Sequence, residues 1–165
     1  MAFSHKLLSI TPPGGPADYI LDMAPSAASG PFLQFLGYGH VRGCLPGATG
    51  EDAEEFSFPV DRFDFERDFY PYPNAHFKTI LCCDLLETLA HDPMYLLDEI
   101  HRILRPGCDL VFSTRAYTEE QIRALLENCG LEITLLESDF ERVYAVARKV
   151  GPVRERYPAL LYPNK

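Results

Sequence analysis

Asp22 lies near the end of a short apolar run, Tyr19-Ile-Leu-Asp-Met, and the next residues are Ala24-Pro25-Ser26-Ala27-Ala28-Ser29-Gly30. A carboxylate at the carboxyl end of a strand, then small side chains, then a helix, is how an open α/β sheet brings its main chain close to a ligand. Ala24, Ser26 and Ala28 keep that path narrow, and a helix starting at Gly30-Pro31 presents unpaired N–H groups and a partial positive charge to an anionic group. Further carboxylates gather at the ends of two later apolar runs: Asp64, Glu66 and Asp68 at the end of Phe58–Phe65, and Asp84 and Glu87 behind Phe77–Cys83. Carboxylates so placed accept hydrogen bonds from the hydroxyl or amino groups of a ligand. His91 is the candidate for moving a proton, because imidazole titrates near neutrality; its plainer role is a surface histidine at a helix entry. No Cys or His spacing suits a metal, so none is expected.

These residues need a scaffold, and the stretch from Phe77 to Thr114 supplies its centre. Phe77–Cys83 is a continuous apolar run containing β-branched residues, the pattern of a parallel strand buried on both faces. Asp92-Pro93 starts a helix, with Asp as cap and Pro where a missing N–H costs nothing. Leu96, Leu97, Ile100, Ile103 and Leu104 form its apolar stripe. Pro106-Gly107 turns the chain into a second buried strand, Asp109–Thr114, which makes a right-handed β-α-β unit.

Upstream, Leu7–Ala17 reads as an apolar lead and a non-helical Pro/Gly loop. Tyr19–Met23 is the first strand, Phe32, Leu33, Phe35 and Leu36 mark a short helix capped by Gly37, His40–Cys44 is the second strand and Phe58–Phe65 the third. Downstream, Thr118 and Gln121 make a capping box for a helix that Gly130 ends, and Leu131–Leu136 and Val143–Arg148 are two further strands.

With 165 residues, 47% of them hydrophobic, the chain suits one domain: a lead over 1–16, a core over about 17–149 and a tail over 150–165. No apolar run approaches the roughly 20 residues that span a bilayer, and no leader pattern opens the chain, so a cytoplasmic protein is expected. The five cysteines read as reduced core thiols. A net charge of −9 disfavours nucleic acid as a substrate.

The segment FYPYPNAHFKTILCCDLLETLAHDPMYLLDEIHRILRPGCDLVFSTRA resembles the second half of class I S-adenosylmethionine-dependent methyltransferases, in particular the bacterial type 11 group. The resemblance covers roughly Leu7 to Lys149. It implies an α/β, Rossmann-like three-layer sandwich with a mostly parallel sheet and an antiparallel last strand inserted in it. The helices that usually cover the site from the N-terminal side are missing or reduced to a stub. It further implies S-adenosylmethionine as cofactor, bound over the carboxyl ends of the first three strands by Asp22, Ala24, Ser26, Ala28 and Gly30. Cys44 takes the place of the acid that normally holds the ribose, with Glu51 or Asp52 as residues that reach back. Asp64, Glu66 or Asp68 stands where relatives contact the adenine amino group, and Asp84 and Glu87 keep the acidic character of the loop after the central strand. The sequence departs from the pattern where D/E-x-G-x-G-x-G becomes Asp22-Met-Ala24-Pro-Ser26-Ala-Ala28, and where Thr88 replaces a His. Three readings follow. One is a methyltransferase acting on a small-molecule or protein acceptor outside the nucleic acids. Another is a catalytically silent domain kept for protein–protein interaction or regulation. A nucleotide-binding oxidoreductase is disfavoured for want of G-x-G-x-x-G. An uncovered pocket also suggests a homo-oligomer that completes the site, with Phe69, Tyr70 and Tyr72 either at its rim or packed on the core.

Overall fold

In the computed structural model, which describes residues 5–47 and 56–151, one seven-stranded sheet organises the chain. In chain order the elements are α1 (His5–Ile10), β1 (Tyr19–Met23), α2 (Ser29–Phe35), β2 (His40–Pro46), β3 (Val60–Phe63) and β4 (Phe77–Cys83). After a single 3₁₀ turn at Leu86–Thr88 come α3 (Met94–Ile103), β5 (Leu104–Thr114), α4 (Glu119–Asn128), β6 (Leu131–Ser138) and β7 (Val143–Lys149). The strands lie in the order β3-β2-β1-β4-β5-β7-β6. All pairings are parallel except those of β7, which runs antiparallel to β5 on one side and to β6 on the other. The order reverses beside β1, so the loop after β1 and the end of β4 face the crevice where sheets of this kind bind ligands.

The expected α/β sandwich is present, with its antiparallel strand inserted. Every residue of β4 except Lys78 is buried, as the continuous apolar run requires. One core holds Leu21, Met23, Ile80, Cys82, Phe112 and the stripes of α3 and α4. The other holds Leu7 of α1, Leu33 of α2, Ile20, Leu81, Val111 and Val146. Odd and even positions of each strand divide between the two, as the pleat dictates.

Local chemistry explains the ends. Met94 N donates to Asp92 Oδ1 at 2.9 Å, so α3 begins one residue later than the Asp-Pro pair suggests. Thr118 and Gln121 cap α4 reciprocally, and Gly130 follows in the left-handed conformation at φ 74°. β2 runs two residues beyond its expected end, to Pro46, while β3 is shorter than expected and starts at Val60, because Pro59 has no N–H for a ladder. The start of the lead is helical: α1 buries Leu7, and the Thr11 hydroxyl donates to Leu7 O at 2.6 Å. Lys6 pairs with Glu137 of β6.

All five cysteines are free; Cys44, Cys82, Cys83 and Cys129 are buried and Cys108 is half-buried. No helix among the described residues is long and apolar enough to cross a membrane. Nor do the described residues gather three or more His, Cys, Asp or Glu in a way that would hold a metal ion.

Candidate functional site

Asp22 is carried to the carboxyl end of β1 with its side chain turned away from Leu21 and Met23, and it is only 1% exposed. Ser29, at the start of α2, hydrogen-bonds its carboxyl, and Oδ2 has no partner. Burial raises its pKa from 3.8 to about 7, and the Ser29 bond offsets part of that rise. Above it the loop folds tightly: Ser26 N donates to the Ser29 hydroxyl at 2.9 Å and Ser29 N to Ser26 O at 3.0 Å. The Ser26 hydroxyl is also buried without a partner. Asp22 and Ser26 are thus both tied to Ser29, and each keeps one buried polar atom without a partner.

Ala24 shows why glycine is the residue that suits this loop. Its φ is +67°, and its N–H donates to Cys44 O at 2.8 Å, which fixes the conformation. A Cβ in the left-handed region costs on the order of 1 kcal/mol. Ala24→Gly should therefore raise the unfolding free energy by about 0.5–1 kcal/mol, after allowing for the greater freedom of glycine in the unfolded chain. Urea titration of both proteins checks the sign. Pro25 packs on β2, where a Cβ on Gly43 would lie 2.8 Å from Pro25 Cγ and 2.9 Å from the Phe58 ring. Gly43 is thus glycine because the loop lies directly on it.

Cys44 is a correction. It is wholly buried in the core with Phe63 and Tyr72, and burial pushes its thiol well above the usual range. Strand alternation turns it away from the crevice, so a ribose contact from this thiol is not part of the site. Leu45, the next residue, is half-buried and carries no acid. Glu51 and Asp52 lie outside the described residues.

Beyond β3, Asp64 is exposed and accepts from Glu66 N at 2.9 Å, while its own N–H donates to Asp68 Oδ2 at 2.8 Å. Glu66 has another task. Its carboxylate accepts from Ala90 N at 3.1 Å and His91 N at 2.7 Å, and so ties the loop after β3 to the loop after β4. His91 is exposed on that second loop. Of the rim aromatics only Phe69 is exposed, with the Arg102 guanidinium 4.1 Å from its ring centroid; Tyr70 and Tyr72 are buried in the core.

Asp84 directly follows β4 at φ +53°, a second non-glycine residue held in the left-handed region at this rim. Its carboxylate accepts from Ser113 Oγ at 3.1 Å and pairs with Arg142, whose Nε and Nη2 lie 3.0 and 2.9 Å from Oδ2. Arg142 comes from the hairpin between β6 and β7, so one guanidinium spans from that hairpin to the end of β4. Glu87 accepts from Thr114 beside it. Strain of this kind collects at ligand sites and switch regions. Sequence patterns did not single out Arg142, because it lies 58 residues from Asp84.

Residues 47–112 match the family model described as "Methyltransferase domain". Solved structures agree over nearly the whole chain. A putative methyltransferase from Haloferax volcanii, in complex with the Trm112 methyltransferase activator, is 16% identical, with a TM-score of 0.69 over 88% of this chain and 88% of that one. This chain has the class I methyltransferase fold. A SAM-dependent methyltransferase from Methanosarcina mazei superposes on this methyltransferase-fold chain with a TM-score of 0.69 at 14% identity, over 91% of it and 99% of its own length. A TehB-like SAM-dependent methyltransferase from Corynebacterium glutamicum is 23% identical and gives a TM-score of 0.66, over 87% of this methyltransferase fold and 85% of its own chain. No curated protein sequence matches it.

Proposed function

We propose that the protein is an S-adenosylmethionine-dependent methyltransferase whose cofactor lies against the Asp22 loop. The observation that carries this reading is the unpartnered, buried carboxyl oxygen of Asp22 under a loop of small residues at the point where strand order reverses. The family match and the fold support it.

The residues fit such a group in its charge and shape. When bound, the cofactor supplies a methyl group on a sulfonium sulfur, already activated for displacement. Asp22 offers a negative charge to its cationic part, Ser26 a free hydroxyl, and Ala24 and Ala28 a main chain without bulk. Asp64, exposed at the end of β3, has Oδ2 for an amino group. Arg142 and Ser113 fix Asp84 directly after β4. The protein's part in such a reaction is alignment and exclusion of water, so no dedicated base is required. The acceptor is proposed to be a small molecule or protein, in keeping with the charge of −9.

Calorimetric titration with S-adenosylmethionine and S-adenosylhomocysteine tests this. Micromolar binding to the wild type, weakened about ten-fold or more by Asp22→Ala, is the expected result. Absence of both heat and thermal stabilisation up to millimolar ligand would leave the fold without its cofactor and overturn the reading.

A further inference from the structure

At the amino end of β2, the opposite end of the sheet from the Asp22 loop, a cavity of about 290 Å³ is lined by Gln34, Tyr38, His40, Arg42, Ser57 and Phe58, among others. Its existence follows from how β3 joins β2. His40 N donates to Asp18 O on the β1 side and Gly43 N to Pro59 O on the β3 side, at 3.1 and 2.9 Å. Main-chain groups alternate along a strand, so Val41 turns its N–H and C=O toward β3. There β3 pairs with β2 only from Gly43 onward, and Pro59 has no N–H to donate. The Val41 amide is thus left open on the wall of the cavity, with no partner among the described residues.

The rest of the lining is rich in donors and flat surfaces. Asp61 takes Nε and Nη2 of Arg42, at 2.8 and 3.4 Å, which leaves Nη1. His40 is exposed and stacked flat on Tyr19, with centroids 4.3 Å apart and planes at 11°. Gln34 is exposed on α2, while Phe58 and Tyr38 supply aromatic sides. In a chain of net charge −9 this groove gathers a guanidinium, an imidazole, a side-chain amide and an open main-chain N–H. Its volume is at the lower end of small-molecule sites.

We propose that this groove binds a small planar organic carboxylate, with the carboxylate on Val41 N–H and Arg42 and the ring against Phe58. A carboxylate has two oxygens, one to accept from the main-chain N–H and one from a guanidinium nitrogen. The site shares no residue with the Asp22 loop and its test needs no cofactor, although Phe58 borders that loop through Gly30 and Gly43.

Amide chemical shifts of the full chain, followed while benzoate is added, test it. Saturable shifts centred on Gln34, Val41, Arg42 and Phe58 are expected, with benzamide at least about ten-fold weaker. Arg42→Gln should weaken benzoate by about ten-fold, and His40→Gln, an exposed change that leaves the Asp61 pair intact, by about three-fold. No saturable shift up to about 10 mM benzoate, equal response to benzamide, or shifts only from an acidic extended peptide or inorganic phosphate would overturn the proposal.

Discussion

Asp22→Asn should stabilise the protein at pH 8 by up to about 4 kcal/mol and leave it nearly unchanged at pH 4. The native carboxyl titrates near 7 against an ordinary value of 3.8, because burial disfavours its charge. Between those values the folded protein holds a proton that the unfolded chain has released. Stability from this group is therefore complete below about pH 4, falls as pH rises, and is lost above 7. Asparagine keeps the shape and has no charge to desolvate, so the variant lacks that slope. Urea unfolding of both proteins from pH 4 to 8 measures it. Parallel pH profiles would show that Asp22 is not held protonated. If the cofactor lies where proposed, its cationic part lowers the Asp22 pKa again and expels a proton on binding. The binding heat at pH 6.5 should then vary with the ionisation enthalpy of the buffer, and that dependence should vanish in Asp22→Asn.

The second large effect is structural and concerns a clamp on α3. Glu99 is 8% exposed and accepts from Tyr70 N at 2.9 Å; Arg102 pairs with it at 3.0 Å. The same guanidinium donates to Tyr72 O at 2.9 Å, Asn74 Oδ1 at 2.9 Å and Tyr70 O at 3.0 Å. One Glu-Arg pair thus fixes the segment between β3 and β4, and holds Tyr70 and Tyr72 on Phe63 and Phe77. Arg102→Ala leaves the nearly buried Glu99 carboxylate without its counter-charge and takes a donor from the Tyr70 and Tyr72 carbonyls, and should cost about 3 kcal/mol. Glu99→Ala should cost a similar amount, and the double variant clearly less than the two together, by about 1–2 kcal/mol. Thermal unfolding of the four proteins closes the cycle; strict additivity would mean that the two residues act separately.

The sequence alone shows elements whose cause is local. β1 and β4 have the bounds that their apolar runs suggest, and the α4 cap is present as its Thr-x-x-Gln spacing requires. The placing of Asp22 in β1, just before the loop to α2, was also legible, because strand, loop and helix are adjacent in sequence. Residues whose role depends on a distant partner were not. Cys44 stands where a ribose acid is expected by count, yet the pleat turns it into the core. Glu66 has the appearance of a ligand residue and is instead committed to two backbone amides about 25 positions away. Tyr70 and Tyr72 read as rim or core with equal ease until Arg102, 32 and 30 residues on, fixes their carbonyls. Ala24 is intermediate: its departure from glycine is visible in the sequence, and its positive φ only in the fold.

The inserted strand β7 also governs the order in which the molecule can be made. β5 and β6 are not neighbours in the sheet; β7, whose residues run to Lys149, lies between them and pairs with both. During synthesis, Leu110, Val111 and Phe112 of β5, all fully buried at the end, have no neighbour on that side until the final strand has left the ribosome. A nascent chain arrested before Val143 thus presents an apolar open edge, the template for pairing with another chain. Completion of the sheet is a late, long-range event that depends on the last part of the core to be translated.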